Sequence, residues 1–458
     1  MQIPDKLLSK YNSAVPRYTS YPPANHFREF TEEEHLGIIK NSNSTGPQNI
    51  AIYVHIPFCR KICYYCGCNS CSLGKGSQVK PYIEAVKQEI RMVSGYLDKS
   101  RRVSQIHFGG GTPNAIDLNY LAEIIDLIKS DFSFIDEPEI AIECNPDHLG
   151  FKETDQLMET GFNRFSIGIQ DFNSNVLRLV NRGLPVIDPS ELFGYIKQKN
   201  SKVSVNFDFI YGLPGQTADS FTDTIRKAIE IRPDRIVTFS YAHVPWLKRH
   251  QLILEKKGLP QSSEKMLMFE KTYSMLGQAG YEPLGLDHYV LPEDDLFKAY
   301  RDNKLHRNFQ GYCTRRTTGQ VYAFGVTGIS QLEEGYSQNS KEIEKYLGDI
   351  SKGSFSPEKG YVLTGEQKIT RTVITNLMCN KKIVLSDLAH EMNIQISRLR
   401  EIIDFRQEKF SEMENDGLLV WNENGIDVTE NGTMFIRNIA VLFDRDYIEK
   451  NQTYSRTV

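Results

Sequence analysis

The sequence predicts an α/β protein. Its core is a parallel sheet, curled or barrel-like, flanked by an N-terminal arm and a smaller, mostly helical C-terminal domain. Three observations lead there. Short apolar strands alternate six times with amphipathic helical stretches, the pattern of parallel strands joined by right-handed crossovers. All six strands end in polar, Gly or Cys residues, and in such sheets chemistry gathers at the carboxyl ends. Past about residue 260 the alternation stops, in a chain of 458 residues that exceeds one typical domain. The expected divisions are an arm over 1–48, the α/β domain with its extension over 49–355, and a helical domain over 356–458.

The strands are expected at Ala51–Ile56, Gln105–Phe108, Ile140–Glu143, Arg164–Ile169, Val205–Ile210 and Arg235–Ser240. Between them, Ile83, Val86, Ile90, Val93 and Leu97 recur at helical spacing, as do Leu121, Ile124, Ile125 and Ile128. Further helices are expected near Glu191–Lys199 and Phe221–Ile231. In the fifth strand Val205, Phe207 and Phe209 alternate with Asn206 and Asp208, so one face is apolar and Asp208 projects from the other. A helix near Glu264–Leu276 then leads to a strand-like Tyr281–Val290. Arg301–Arg316 is polar and Arg-rich, and Lys352–Gly360, rich in Ser, Gly and Pro, reads as a linker. Gly417–Thr429 reads as a β-hairpin, LLVW and IDVT around NENG. Such a wing after helices can mark a DNA-binding unit. A packing or lid domain is the better reading, because no basic face stands out.

Composition narrows the function. The net charge is −4, so the basic excess of a general nucleic-acid binder is missing. The N-terminal stretch lacks the apolar region of a signal peptide, and no segment approaches membrane-spanning length. A cytoplasmic chain is expected, with reduced thiols and no membrane or nucleic-acid partner.

Four of the eight cysteines fall within ten residues: Cys59, Cys63, Cys66 and Cys68, with three, two and one residues between them. Disulfides among neighbours this close would be strained. A zinc ribbon would separate two close pairs by a longer stretch. One tight knot of thiols suits an iron–sulfur cluster better than structural zinc. The knot follows the first strand, which puts it at the top of the sheet.

Other strand ends carry further candidates. Gly109–Pro113, GGGTP, removes every Cβ where a backbone must come close to a ligand, or where it simply turns into a helix. Beside the cysteine knot the ligand reading gains. Glu143 and Asp208 could hold ribose hydroxyls or an ammonium group, or be solvated or ion-paired. Gln170 could orient a ligand or cap a helix. Arg301, His306, Arg307, Arg315 and Arg316, with Phe309 and Tyr312 among them, would suit a planar polycarboxylate or form an exposed charged loop. Cys71, Cys144, Cys313 and Cys379 read as small buried hydrophobes. His55, His107 and His288 read as structural.

Cys59-x3-Cys63-x2-Cys66 resembles the signature of the radical S-adenosylmethionine (SAM) superfamily. Further motifs in the right order narrow the resemblance: PRYTSYP at Pro16–Pro22, YVHIPFC, CGCN, GGGTP, GIQDFN, VNRG, DFIYGLP, YAHVP, LDHY, HRNFQGY and the closing YSRTV. Together they are similar, nearly end to end, to the oxygen-independent coproporphyrinogen III oxidase family.

The resemblance implies a partial (β/α)6 barrel and a [4Fe–4S] cluster on Cys59, Cys63 and Cys66, with one iron left open for SAM. It implies reductive cleavage of SAM to methionine and a 5′-deoxyadenosyl radical. That radical takes a hydrogen from a propionate β-carbon, and loss of CO2 and one more electron leaves a vinyl group. Two such rounds turn coproporphyrinogen III into protoporphyrinogen IX. Tyr53, Gly110, Glu143, Ala242 and Ile329 match positions contacting the cluster-bound SAM. Tyr65, Gly111, Thr112, Gln170, Arg182 and Asp208 match a second SAM site, so two SAM molecules are implied. Cys68 matches a non-ligand cysteine needed for activity, and Phe309 and Gln310 match a segment near the active site. Arg17 and Tyr21 match an arm that helps hold substrate. Cys144 departs from the family pattern without touching a carried-over role.

A low-potential electron donor such as flavodoxin or ferredoxin, and a monomeric state, are implied as well. The competing readings are a haem-binding chaperone sharing the three-cysteine signature, another radical SAM tetrapyrrole enzyme, and a zinc-stapled regulator. Cys68, PRYTSYP and RNFQGY favour the oxidase over the chaperone.

Overall fold

The computed structural model describes residues 4–74, 76–447 and 454. Of the closing YSRTV only Tyr454 falls within them. The chain forms two compact units whose bounds differ from the linear division expected from sequence. One comprises 28–264 and 316–362, the other 1–27, 265–315 and 363–458.

The first unit is built on a long sheet. Its strands are β1 (Ile50–Ile56), β2 (Arg102–Gly110), β3 (Ser133–Cys144), β4 (Arg164–Gln170), β5 (Ser204–Tyr211), β6 (Arg235–Ser240), β7 (Gln320–Phe324), β8 (Ile329–Gln331), β9 (Gly335–Asn339) and β10 (Pro357–Val362). Strands β1 to β6 lie side by side in chain order and all parallel. This is the expected six-strand parallel core, part of an open sheet with no pairing that closes it into a ring among the described residues.

The strands are largely buried, six of the seven residues of β1 included, with one face apolar against the helices, and they also carry polar side chains such as Tyr53, His107, Glu143 and Asp208. Helix α1 (Val79–Ser94) presents Tyr82, Ile83, Val86, Ile90 and Val93, and α2 (Asn119–Asp131) presents Leu121, Ile124, Ile125 and Ile128. Helices Pro189–Lys199 and Ala218–Ile231 fall where the periodicity expects them.

On the other side of β1 the sheet continues through β7, parallel to it, and then antiparallel through β8, β9 and β10. The expected linker is therefore wrong: Pro357–Val362 is a sheet strand, paired with β9 and with Arg28–Glu29. Gly360 is there for packing, since a Cβ on it would stand 2.4 Å from the Phe30 ring.

The second unit has one main core. Helices Gly365–Asn380, Leu385–Glu391, Ile396–Ile402 and Gln407–Asn415 pack around Val373, Leu377, Leu399 and Phe410, and Tyr18 and Tyr21 of the arm belong to the same cluster. The expected hairpin is present as Leu419–Asn422 and Gly425–Val428, and Lys382–Val384 completes a three-stranded sheet. Tyr281–Val290 is two short antiparallel strands rather than one. Arg301–Arg316 is not an exposed loop. It contains the hairpin Leu305–Asn308 with Gly311–Thr314, whose Leu305 and Tyr312 join a buried cluster with Cys379.

Candidate active site

Strand β1 ends at Ile56, and the chain runs directly into the cysteine loop. The loop closes on itself where Phe58–Cys59 pairs with Cys71–Ser72. It is fixed to β2 as well: Gly111 N–H donates to the Ile56 carbonyl at 2.8 Å and Thr112 N–H to the Phe58 carbonyl at 3.0 Å. Tyr64 N–H donates to the Val180 carbonyl, tying the loop to the turn that carries Arg182.

The three expected ligand sulfurs each have a polar neighbour. Cys59 Sγ lies 3.2 Å from Thr112 Oγ1, Cys63 Sγ 3.8 Å from Arg182 Nη1 and Cys66 Sγ 3.8 Å from Ser70 Oγ. Cys59 and Cys63 are buried, Cys66 is half-buried and Cys68 is exposed. Burial pushes the Cys59 thiol up to about 11. The Cys68 thiol hydrogen-bonds Cys66 and holds the Cys66 thiol down. This is a set of soft donors from one loop, the kind that iron–sulfur clusters use.

The three glycines of GGGTP make room for specific groups. A Cβ on Gly109 would stand 2.6 Å from a Glu143 carboxylate oxygen, and one on Gly110, at φ +108°, 2.5 Å from the His55 ring. Glu143, at the end of β3, accepts from His107 Nε2 at 3.1 Å and from Gly110 N–H at 3.3 Å. Burial alone would raise its pKa. The hydrogen bonds from His107 and the Gly110 amide offset that, and its pKa lies below the usual carboxylate range.

His55, expected to be structural, takes a bridging place. Its Nε2 lies 2.9 Å from the Asn69 carbonyl, so this nitrogen carries the proton, while Nδ1 accepts from the Tyr53 hydroxyl at 3.2 Å. Burial lowers its pKa, which suits this neutral tautomer.

Around the rim lie buried polar atoms with no partner among the described residues: the Tyr65 hydroxyl, Gln170 Oε1 and Arg182 Nε. Burying such atoms is costly unless something pairs with them. Arg182 spends its other nitrogens on the Gly168 carbonyl, at 2.6 Å, and on Cys63. Gln170 sits at φ +69° at the end of β4. Asp208 lies within β5 rather than at its end and accepts from Ser166 Oγ at 2.7 Å and Asn206 Nδ2 at 2.8 Å. Ala242 follows β6 and Ile329 opens β8.

The structure thus gathers Tyr53, Gly110, Glu143, Gly111, Thr112, Tyr65, Gln170, Arg182 and the four loop cysteines Cys59, Cys63, Cys66 and Cys68 on one unit. Phe309 and Gln310 belong to the other, where they form the tip of the 305–314 hairpin with Gln310 N–H on Asn308 Oδ1. Tyr21 is a core residue, and Arg17 is exposed with its carbonyl accepting from Arg307. Of the remaining thiols Cys144, Cys313 and Cys379 are buried as expected, and Cys71 is half-buried.

One group had no signal in the sequence. After β6, the segment Lys248–Gln251 reaches back to the cysteine loop. Lys248 donates to the Cys68 carbonyl at 2.7 Å, His250 Nε2 to the Cys66 carbonyl at 2.9 Å and Gln251 Nε2 to the Tyr65 carbonyl at 3.0 Å. WLKRHQ carries no periodicity and no metal spacing, so only the fold brings it there.

Comparison with known proteins places the chain among relatives. The family described as the radical SAM superfamily matches residues 53–228. An oxygen-independent coproporphyrinogen III oxidase of Synechocystis is 38% identical, over 99% of this chain and 97% of that protein. The Escherichia coli protein of that name is 36% identical, over 99% and 98%. The solved structure of coproporphyrinogen III oxidase from Escherichia coli, described as a radical SAM enzyme, superposes with a TM-score of 0.89 at 35% identity, over 98% of this chain and 100% of that one.

Proposed function

This chain belongs to the oxygen-independent coproporphyrinogen III oxidase family of the radical SAM superfamily, and from that membership we propose how its residues divide the work. The reaction is oxidative decarboxylation of two propionates of coproporphyrinogen III to vinyl groups, giving protoporphyrinogen IX without oxygen. When bound, the [4Fe–4S] cluster and SAM supply the one-electron chemistry that opens each round.

The protein's own residues hold and shield those groups. Cys59, Cys63 and Cys66 bind the cluster. Glu143, kept ionised by His107 and Gly110, accepts the ammonium of the cluster-bound SAM, with Tyr53, Gly110, Ala242 and Ile329 along its length. Gly111, Thr112, Tyr65, Gln170, Arg182 and Asp208 take a second SAM. Cys68, exposed and free of the cluster, serves the substrate step with Phe309 and Gln310. The chain acts as a cytoplasmic monomer and draws electrons from a low-potential donor such as flavodoxin or ferredoxin. The single observation that supports the site most is that three loop thiols lie on the unit that also carries Glu143 and the buried Tyr65, Gln170 and Arg182 atoms without a partner among the described residues.

The test is an anaerobic assay of the reconstituted chain with dithionite, SAM and coproporphyrinogen III. Protoporphyrin should form after oxidation, with matching 5′-deoxyadenosine and methionine. Cleavage of SAM without decarboxylated porphyrin would assign another tetrapyrrole substrate. No cleavage by a chain carrying an intact cluster would favour haem binding instead.

A further inference from the structure

The cysteine loop is held from outside by one short segment. Lys248, His250 and Gln251 each donate to a different carbonyl of the loop, at Cys68, Cys66 and Tyr65. The three acceptors span the third proposed cluster ligand from one side to the other. Gln251 is fully buried and does more: its amide also donates to the Ala242 carbonyl at 3.3 Å, and its oxygen accepts from Val244 N–H at 2.7 Å. The strap therefore fastens the loop to the end of β6, where Ala242 lies. Its neighbours Trp246 and Leu247 face solvent, so burial of the segment as a whole does not explain why these three side chains reach inward.

The chemistry of the contacts points to the cluster. A carbonyl next to a cluster ligand adds negative potential, and a donor on that carbonyl withdraws it. Reduction adds an electron to the cluster, so a nearby cation favours the reduced form. Net charge and hydrogen bonds around the sulfurs are among the main determinants of iron–sulfur potentials. Lys248 brings a full positive charge to within hydrogen-bond distance of the Cys68 carbonyl, two residues from Cys66.

We propose that Lys248, His250 and Gln251 are positioning residues that fix the cysteine loop, and that Lys248 also raises the reduction potential of the cluster. The proposal rests on Cys59, Cys63 and Cys66 being its ligands, and iron and sulfide counts on the unaltered full-length chain, reconstituted anaerobically, test that point by themselves. Fewer than four irons would fail the ligand reading before the strap is in question.

With the cluster present, midpoint potentials are measured by redox titration followed by electron paramagnetic resonance. Lys248→Met should shift the midpoint to a more negative value, Lys248→Arg should restore it, and Leu247→Ala should leave it unmoved. His250→Ala should lose its cluster several-fold faster on dilution under argon, and His250→Gln, which keeps an amide donor, should recover the lifetime. A Lys248→Met midpoint equal to that of the unaltered chain overturns the charge role. Equal cluster lifetimes in His250→Ala and the unaltered chain overturn the strap.

Discussion

A half-buried carboxylate that accepts from a histidine and a glycine amide, beside two glycines without side chains, is a prepared acceptor. Glu143 keeps its charge because the hydrogen bonds from His107 and the Gly110 amide exceed the cost of its partial burial. With its folded pKa below the ordinary value, the ionised form is stabilised throughout the neutral range. That stabilisation disappears only as the pH falls through the folded pKa. Glu143→Gln should therefore leave the cluster in place and weaken SAM binding about 10- to 100-fold, the equivalent of losing one hydrogen bond to a charged group, ~1.5–3 kcal/mol. Isothermal titration of the reconstituted variant with SAM measures it, and an unchanged Kd would remove Glu143 from the SAM site. Cys68 is separable from the ligands in the same way. Cys68→Ser should keep its iron and its SAM cleavage yet form no protoporphyrin, whereas Cys63→Ser should fail to assemble the cluster. At this scale the sequence was informative wherever chemistry imposes spacing, as in the cysteine knot and GGGTP. It was silent on Lys248, His250 and Gln251, whose partners are backbone carbonyls of distant residues. A hydrogen bond to a carbonyl places no demand on the sequence of the segment that accepts it.

Elements meet behind the site at a buried carboxylate. Glu89, on α1, accepts from the Tyr346 hydroxyl at 2.6 Å, from Asn339 Nδ2 at 2.7 Å and from Gly325 N–H at 2.9 Å, just past the end of β7. Burial nonetheless pushes its pKa up to about 7, the three donors only partly offsetting it. A carboxyl raised in the folded state holds its proton after the unfolded chain has lost it. Stability therefore falls as the pH climbs from about 4.5 to about 7, by on the order of 3 kcal/mol in all. Glu89→Gln removes the titration. Melting temperatures taken across that window should show the unaltered chain falling relative to the variant, and parallel curves would refute the assignment. The helix was legible because Ile83, Val86, Ile90 and Val93 recur at its period, but Glu89 falls among them without a signal of burial. The strand β10 was hidden for a related reason. Its Pro and Gly look like a linker, yet Pro357 opens the strand and Gly360 admits the Phe30 ring. Composition cannot distinguish a glycine kept for flexibility from one kept for close packing.

Across the whole molecule, the alternation of strand and helix over 50–240 was plain because each unit is local, with every strand beside its predecessor. What could not be read was which distant segments close each unit, since sequence periodicity carries no address for a partner hundreds of residues away. The arm shows what that omission conceals. Tyr18 donates to Asp444 at 2.8 Å and Tyr11 to Asp416 at 2.6 Å. Buried Arg437 donates to the Pro16 carbonyl at 3.1 Å and also to that of Val15, and Asn438 donates to Tyr11. Residues 11–22 thus complete the core of the second unit, with Tyr18 and Tyr21 inside its apolar cluster. Removing them takes two aromatic rings from that core and two acceptors from a buried guanidinium. Loss of a buried aromatic side chain alone costs roughly 3–5 kcal/mol, and leaving a buried charge short of partners adds to it. A chain beginning at Pro23 should therefore show an early calorimetric transition or none that is cooperative. Tyr18→Ala should move the same way by a smaller step, and Tyr18→Phe, which loses only the Asp444 hydrogen bond, by about 1 kcal/mol. If the truncated chain melts where the full one does but turns over substrate poorly, the arm serves the substrate and not the core. If its melting falls with the Tyr18 series, loss of activity in the truncated chain is a folding defect, and any contact of Arg17 with substrate has to be sought in Arg17→Ala, where the core is intact.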